Sequence, residues 1–330
     1  MIQTRLTRLL DIKHPVLSAP MASAAGGALA AAVSTAGGLG LIGGAYPNRD
    51  WIEEEFSAAG NIPVGCGFIT WNLTKAMKDN PDILGAVLDR KPRALFLSFG
   101  DPAPYARQIL QSGARFICQV QTLHHAKHAI DSGAEIIVAQ GAEAGGHGRS
   151  RATMTLVPEV ADYVANNAPN VVVCAAGGIA DGRGLAAALM LGAEGVVIGS
   201  RFWASTEALV HRNMHEAALA ANGDDTIRST VMDVARKLDW PAGYTARVLK
   251  NAFTEKWHND LEGLLADAEV QSKAWMAAWQ AGEVTTANTF VGEATGLIND
   301  IAPAGEILEA IMVEAAQRLR AYNPTSPTSP

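Results

Sequence analysis

Short apolar runs, each followed by a glycine-containing loop and then by an alanine- and leucine-rich stretch, recur through the first two thirds of the chain. The runs at His14–Pro20, Leu39–Ala45, Pro63–Thr70, Arg93–Gly100, Arg115–Thr122, Glu135–Gly141, Val171–Gly177 and Glu194–Gly199 read as eight strands. Several are continuously apolar (IIVA, VVVCAA, GVVIG), as strands covered on both faces must be. Helices are expected between them at Gly27–Ala36, Arg49–Ala59, Pro104–Ser112, Leu123–Ser132, Val157–Asn166 and Gly184–Leu191, several followed by the glycine that helix ends favour. Eight such units spread from about residue 14 to about residue 205 predict an α/β fold, a (β/α)8 TIM barrel, which needs roughly 200 to 250 residues. An open doubly wound sheet would also accept six or seven of the units, but no G-x-G-x-x-G follows the first strand.

Past Thr206 the alternation stops and helical stretches take over, including Glu207–Asn222 and Ala304–Ala321. The expected organisation is a barrel over 1–205, a mostly helical cap or extension over 206–322 and a disordered Pro/Ser tail over 323–330. Within Gly223–Thr254, the side chains of Met232, Trp240 and Tyr244 either close over a pocket mouth or pack against the barrel.

Composition narrows the partners. The chain has 330 residues, 48% of them hydrophobic, enough for one large core. A formal net charge of −7 without any Lys/Arg run argues against nucleic acid and anionic membrane. No stretch reaches the ~18 uninterrupted apolar residues of a membrane span, and the N-terminus lacks a signal-peptide pattern, so a soluble cytoplasmic protein is expected. Cys66, Cys118 and Cys174 fall singly within apolar runs and read as buried, reduced thiols.

In a parallel barrel, chemistry collects where the strands end. Ser18-Ala19-Pro20-Met21 leads into a small-residue loop that lets backbone approach a flat ligand. Gln140-Gly141-Ala142-Glu143-Ala144-Gly145-Gly146-His147-Gly148 sets one imidazole among glycines whose N–H groups suit an anion, and tight turning alone would not need the histidine. The loops Gly177-Gly178 and Gly199-Ser200, after the seventh and eighth strands, have the form of a phosphate cradle. Arg201 either adds charge there or bridges to Asp181 or Glu194. His124, His125 and His128 share one outer helix and read as a solvated face. His211 and His215 have i, i+4 spacing but no H-E-x-x-H pattern and no third ligand, so no metal is expected.

Taken together, HPVLSAPM, AVSTAGGLGLIGG, QGAEAGGHG, AAGGIADGRGLAAALMLGAEGVVIGSRF and RVLKNAFTEKW resemble the nitronate monooxygenase family, formerly 2-nitropropane dioxygenases, to about residue 320. The resemblance implies a noncovalently held FMN and oxidation of alkyl nitronates by molecular oxygen. It further implies phosphate contacts at Gly145, Gly177, Gly178, Gly199 and Ser200 and a cofactor contact at Gly146, with Ala19, Pro20 and Met21 beside the flavin ring. Gln140 and Gln119 would reach flavin or ribityl atoms, and His147 would be the catalytic side chain. A similar Glu-Ala-Gly-Gly-His loop occurs in FMN-dependent enoyl-acyl-carrier-protein reductases and NADH:quinone reductases, so NAD(P)H-driven reduction of quinones or enoyl thioesters is the alternative. A flavin-binding module without turnover is a lesser one. Where many relatives carry an Asn after strand three, this chain has Gly65-Cys66-Gly67-Phe68-Ile69-Thr70-Trp71, and Phe68 and Trp71 are candidates for an apolar substrate pocket.

Overall fold

A computed structural model describes residues 2–321, and the expected tail at 323–330 lies outside them. Eight parallel strands form one sheet: β1 (Val16–Ser18), β2 (Leu41–Ile42), β3 (Gly65–Ile69), β4 (Ala94–Ser98), β5 (Arg115–Val120), β6 (Ile136–Gln140), β8 (Val172–Ala176) and β9 (Gly195–Ile198). The sheet runs β1-β9-β8-β6-β5-β4-β3-β2, and a parallel bridge from Leu17 to Leu39, just before β2, closes it into a TIM barrel. Every strand is buried on both faces, apart from part of β5, which is why the runs lack polar alternation.

Inside the barrel, Leu17, Leu41, Phe96, Ile117, Val138, Cys174 and Val197 fill the axis. Leu6 and Leu10 join them from a short helix, Arg5–Leu10, that plugs the lower mouth. Gly195 is where that plug needs room, because a Cβ there would come within 2.2 Å of Leu6. A second core lies between the strands and the outer helices. Helices Thr70–Asp79 and Ile83–Asp89 lie outside the expected set.

The extension is less purely helical than its composition suggests. Strands β10 (Thr226–Ser229) and β11 (Thr245–Leu249) form an antiparallel sheet with β7 (Gly146–Gly148), a strand contributed by the barrel's own glycine-rich loop. Short helices and the helix Ala268–Ala281 pack on that sheet around Met232, Phe253, Trp257 and Trp275. The last helix, Ala304–Ala321, returns to the barrel and packs against helices Gly182–Met190 and Gly27–Thr35. The division at residue 205 is one we propose to keep, with this last helix seated in the barrel's outer ring.

Candidate active site

At the C-terminal end of the barrel strands, the twelve residues singled out in the sequence line one cavity of about 790 Å³: Ala19, Pro20, Met21, Gln119, Gln140, Gly145, Gly146, His147, Gly177, Gly178, Gly199 and Ser200. Its far wall comes from the extension, through Met214, Arg236, Trp240, Trp275 and Phe290 among others.

At one end of the cavity, two neighbouring loops present free backbone donors. The N–H groups of Gly178, Gly199 and Ser200 make no hydrogen bond among the described residues. Gly177 and Gly178 sit at φ +102° and +75°, a left-handed backbone that other residues enter with strain. A Cβ on Gly199 would meet nothing nearer than 3.8 Å, from Ala19 and Met21, so this stretch of backbone faces open space. Gly145 is a glycine for a different reason: a Cβ would lie 2.6 Å from backbone atoms of both Val291 and Gly292. The Ser200 hydroxyl accepts from the Gly292 N–H at 2.9 Å, so the extension also rests on the cradle.

The glycine-rich loop is held from several sides. Glu143 accepts from the Thr153 N–H at 3.0 Å and from its hydroxyl at 2.9 Å. Arg228 and Arg247 both donate to the Ala142 carbonyl, at 3.1 and 3.0 Å. Burial first, and then the adjacent Arg247, pull the Arg228 guanidinium down to about 10, still charged at neutral pH. Beside the loop, Gln140 Oε1 accepts from Gln119 at 3.1 Å and Gln121 at 3.0 Å. Two donors on one oxygen fix the amide's orientation and leave the Gln140 NH2 available on the cavity wall.

His147 lies in β7 and is buried. Its Nε2 stands 3.0 Å from each carboxylate oxygen of Asp233, itself buried in helix Val231–Ala235. The imidazole stacks on Trp240, with ring centroids 3.4 Å apart and planes 6° from parallel. Burial pushes the His147 imidazole below its ordinary value; Asp233 opposes this, while Arg236 and Arg228 reinforce it. At neutral pH the ring is therefore uncharged, with its proton assigned to Nε2 by the Asp233 carboxylate and its lone pair on Nδ1. Nδ1 makes no hydrogen bond among the described residues. An imidazole held in this way can act as a base, with an acid behind it to stabilise the proton.

The remaining candidates are placed as follows. Arg201 reaches neither Asp181 nor Glu194 and does not line the cavity; it pairs with Asp300 and donates to the Ala204 carbonyl at 3.2 Å. Asp181 instead pairs with Arg183, and Glu194 with Arg5. His211 caps its own helix at Asn213, and His215 contacts the Trp203 carbonyl at 2.9 Å, which gives both a structural role. On the outer helix, His128 pairs with Asp101 at 2.7 Å. Phe68 and Trp240 line the cavity, Trp71 and Tyr244 support Trp240 and Phe99 from outside it, and Met232 is core. All three cysteines are free and buried, with burial pushing the Cys66 thiol up to about 12. Sequence reasoning missed Asp233, Arg236 and Tyr46. The one available signal was an acid flanked by Val231, Met232, Val234 and Ala235, a setting in which a carboxylate is buried and needs a partner.

Known proteins similar to this chain are oxidoreductases by name. The chain belongs to the nitronate monooxygenase family, whose model matches residues 3–66 and 68–314. A nitronate monooxygenase of Neurospora crassa is 33% identical over 362 residues, covering 96% of this chain and 94% of that one. A (3aS,4S,5R,7aS)-5-hydroxy-7a-methyl-1-oxo-octahydro-1H-indene-4-carboxyl-CoA dehydrogenase of Mycobacterium tuberculosis is 29% identical over 355 residues, covering 97% and 98%. Among solved structures, FabK from Thermotoga maritima superposes with a TM-score of 0.85 at 34% identity, covering 98% of this chain and 100% of that one.

Proposed function

We propose that this protein is an FMN-dependent nitronate monooxygenase, which oxidises alkyl nitronates with molecular oxygen and reaches neutral nitroalkanes by deprotonating them. The observation that carries this reading is the buried His147, held by Asp233 at 3.0 Å on the wall of the cavity, with Nδ1 unengaged among the described residues.

The residues present suit a flavin mononucleotide. N–H groups of Gly178, Gly199 and Ser200 that are unpaired among the described residues, with open space over Gly199, match a phosphate that is bound without charged side chains. Ala19, Pro20 and Met21 offer an apolar wall, and the Gln140 and Gln119 amides supply polar contacts for the ring system or ribityl chain. When bound, the cofactor supplies the electron transfer, and the protein binds, orients and manages charge.

With a neutral nitroalkane, His147 Nδ1 takes the proton from the carbon bearing the nitro group. Negative charge passes to the nitro oxygens, and Asp233 stabilises the imidazolium through Nε2–H. With a preformed nitronate no proton is taken, and His147 serves as a polar wall. The stacked Trp240 and the edge-on Phe99 keep water from the imidazole. Buried reduced cysteines fit a cytoplasmic setting.

Reduction of a quinone or thioester by NAD(P)H is the second reading, for which the relative named as a carboxyl-CoA dehydrogenase offers a thioester substrate as precedent. Oxygen uptake by the purified protein separates the two. Consumption with ethyl nitronate, together with release of FMN identified by mass, is expected. No uptake with any alkyl nitronate by a fully flavin-loaded protein would refute the proposal.

A further inference from the structure

Arg236 stands in the cavity wall with its guanidinium held by ring faces and, among the described residues, paired with no acid. The guanidinium carbon lies 5.2 Å from the ring centre of Tyr46, 5.8 Å from that of Trp275 and 5.7 Å from that of Phe290. All four residues line the same cavity as His147. The box is stiff: Trp275 is buried, its indole N–H donates to Asn288 at 2.9 Å, and it stacks on Trp279.

Among the described residues Arg236 makes no ion pair, and its polar neighbour is the Tyr46 hydroxyl. Three other arginines, by contrast, are engaged. Arg247 pairs with Glu293 at 2.7 Å, Arg201 pairs with Asp300, and Arg228 donates to Thr245 and to the Ala142 carbonyl. Asp233, three residues before Arg236, has both oxygens on His147. Aromatic faces attract a cation but accept none of its five N–H donors in the plane of the fork. A half-buried guanidinium with unused donors beside an apolar cavity is complementary to a planar anion with two oxygens, which it can meet by two parallel hydrogen bonds.

We infer that Arg236 is the anion-holding subsite of this cavity, and that its ligand is a planar two-oxygen anion of the substrate. Two groups have that chemistry: the nitronate itself and a carboxylate elsewhere on the same molecule. The inference rests on the proposed nitronate oxidation for its ligand, but the anion site can be measured without turnover.

The flavin-loaded protein is titrated calorimetrically with nitrate, a planar oxyanion shaped like a nitro group, and with butyrate. Wild type should bind at least one of them; binding of neither overturns the inference. Arg236→Met should weaken that binding about 10²-fold, as loss of a desolvated charge partner does, and Arg236→Lys should retain part of it. Flavin content and circular dichroism are recorded for both variants, and Arg236→Gln replaces Arg236→Met if the latter does not fold. Steady-state KM then identifies the group. A rise for ethyl nitronate assigns Arg236 to the nitronate. A rise only for a carboxylate-bearing nitroalkane, with ethyl nitronate unchanged, assigns it to the carboxylate. Wild-type anion affinity in a folded Arg236→Met protein would contradict the site, whereas intact anion binding in a wild-type protein that oxidises no nitronate would contradict the proposed function alone.

Discussion

His147 in β7 and Asp233 in helix Val231–Ala235, 86 residues apart in the chain, meet with Nε2 3.0 Å from both carboxylate oxygens. The imidazole thus comes from the barrel and its carboxylate partner from the extension, so neither part holds the pair alone. Asp233→Asn keeps the shape and removes the charge. Turnover of neutral nitroalkane should fall about 10²-fold, within the range for impaired general-base catalysis, while turnover of preformed nitronate changes less than about tenfold. Because Asp233 holds the imidazole up against burial, its loss should also move the acidic limb of the nitroalkane pH profile to lower pH. An unchanged limb together with equal losses on both substrates would mean that Asp233 only supports the fold.

On the proposed reading, His147→Ala should keep FMN, since the donors proposed for its phosphate are backbone groups of other loops. Neutral-nitroalkane activity should drop about 10² to 10⁴-fold, further than nitronate activity. Flavin absorbance of the purified variant, measured beside both rates, checks this.

Four histidines, His14, His125, His147 and His215, are each held below the ordinary imidazole value, with burial the largest cause. The folded state therefore binds fewer protons than the unfolded chain below about pH 6.5. This stabilisation is complete above that pH and is lost as pH falls through it. Thermal unfolding followed from pH 7.5 to 5 should show a falling midpoint, with a shallower fall in His147→Gln.

Two glycines separate packing from binding. Gly145→Ala drives a methyl against the backbone of Val291 and Gly292 and should cost about 1 to 3 kcal/mol, read from denaturant midpoints. Gly199→Ala meets nothing nearer than 3.8 Å at an ordinary φ, so stability without cofactor should hold while FMN content falls. Equal FMN content in Gly199→Ala and wild type would remove Gly199 from the cradle.

The barrel and the cavity floor were legible in the sequence because nearly every strand is covered on both faces and β2, β6, β8 and β9 run directly into glycine, so local composition carries the pattern. Gly177, Gly178, Gly199 and His147 stand at those ends and were found from that rule alone. The plug helix was not, since its six residues are too few for a helical period and show their purpose only through Leu6 and Leu10 inside the barrel. The glycine-rich loop gave no sign that residues 146–148 would pair with β11, because glycine carries little strand preference and the partner lies far along the chain. Asp233 and Arg236 escaped for the same reason: each acts through a contact that no spacing encodes.

Anaerobic mixing of the flavin-loaded protein with ethyl nitronate in one syringe, and with NADH or NADPH in another, tests the proposed function most directly. Loss of the flavin's visible absorbance with the nitronate, and little or none with either nicotinamide on the same timescale, is the expected result. Rapid bleaching by NADH or NADPH, with the nitronate without effect, would contradict nitronate oxidation and make the protein a reductase.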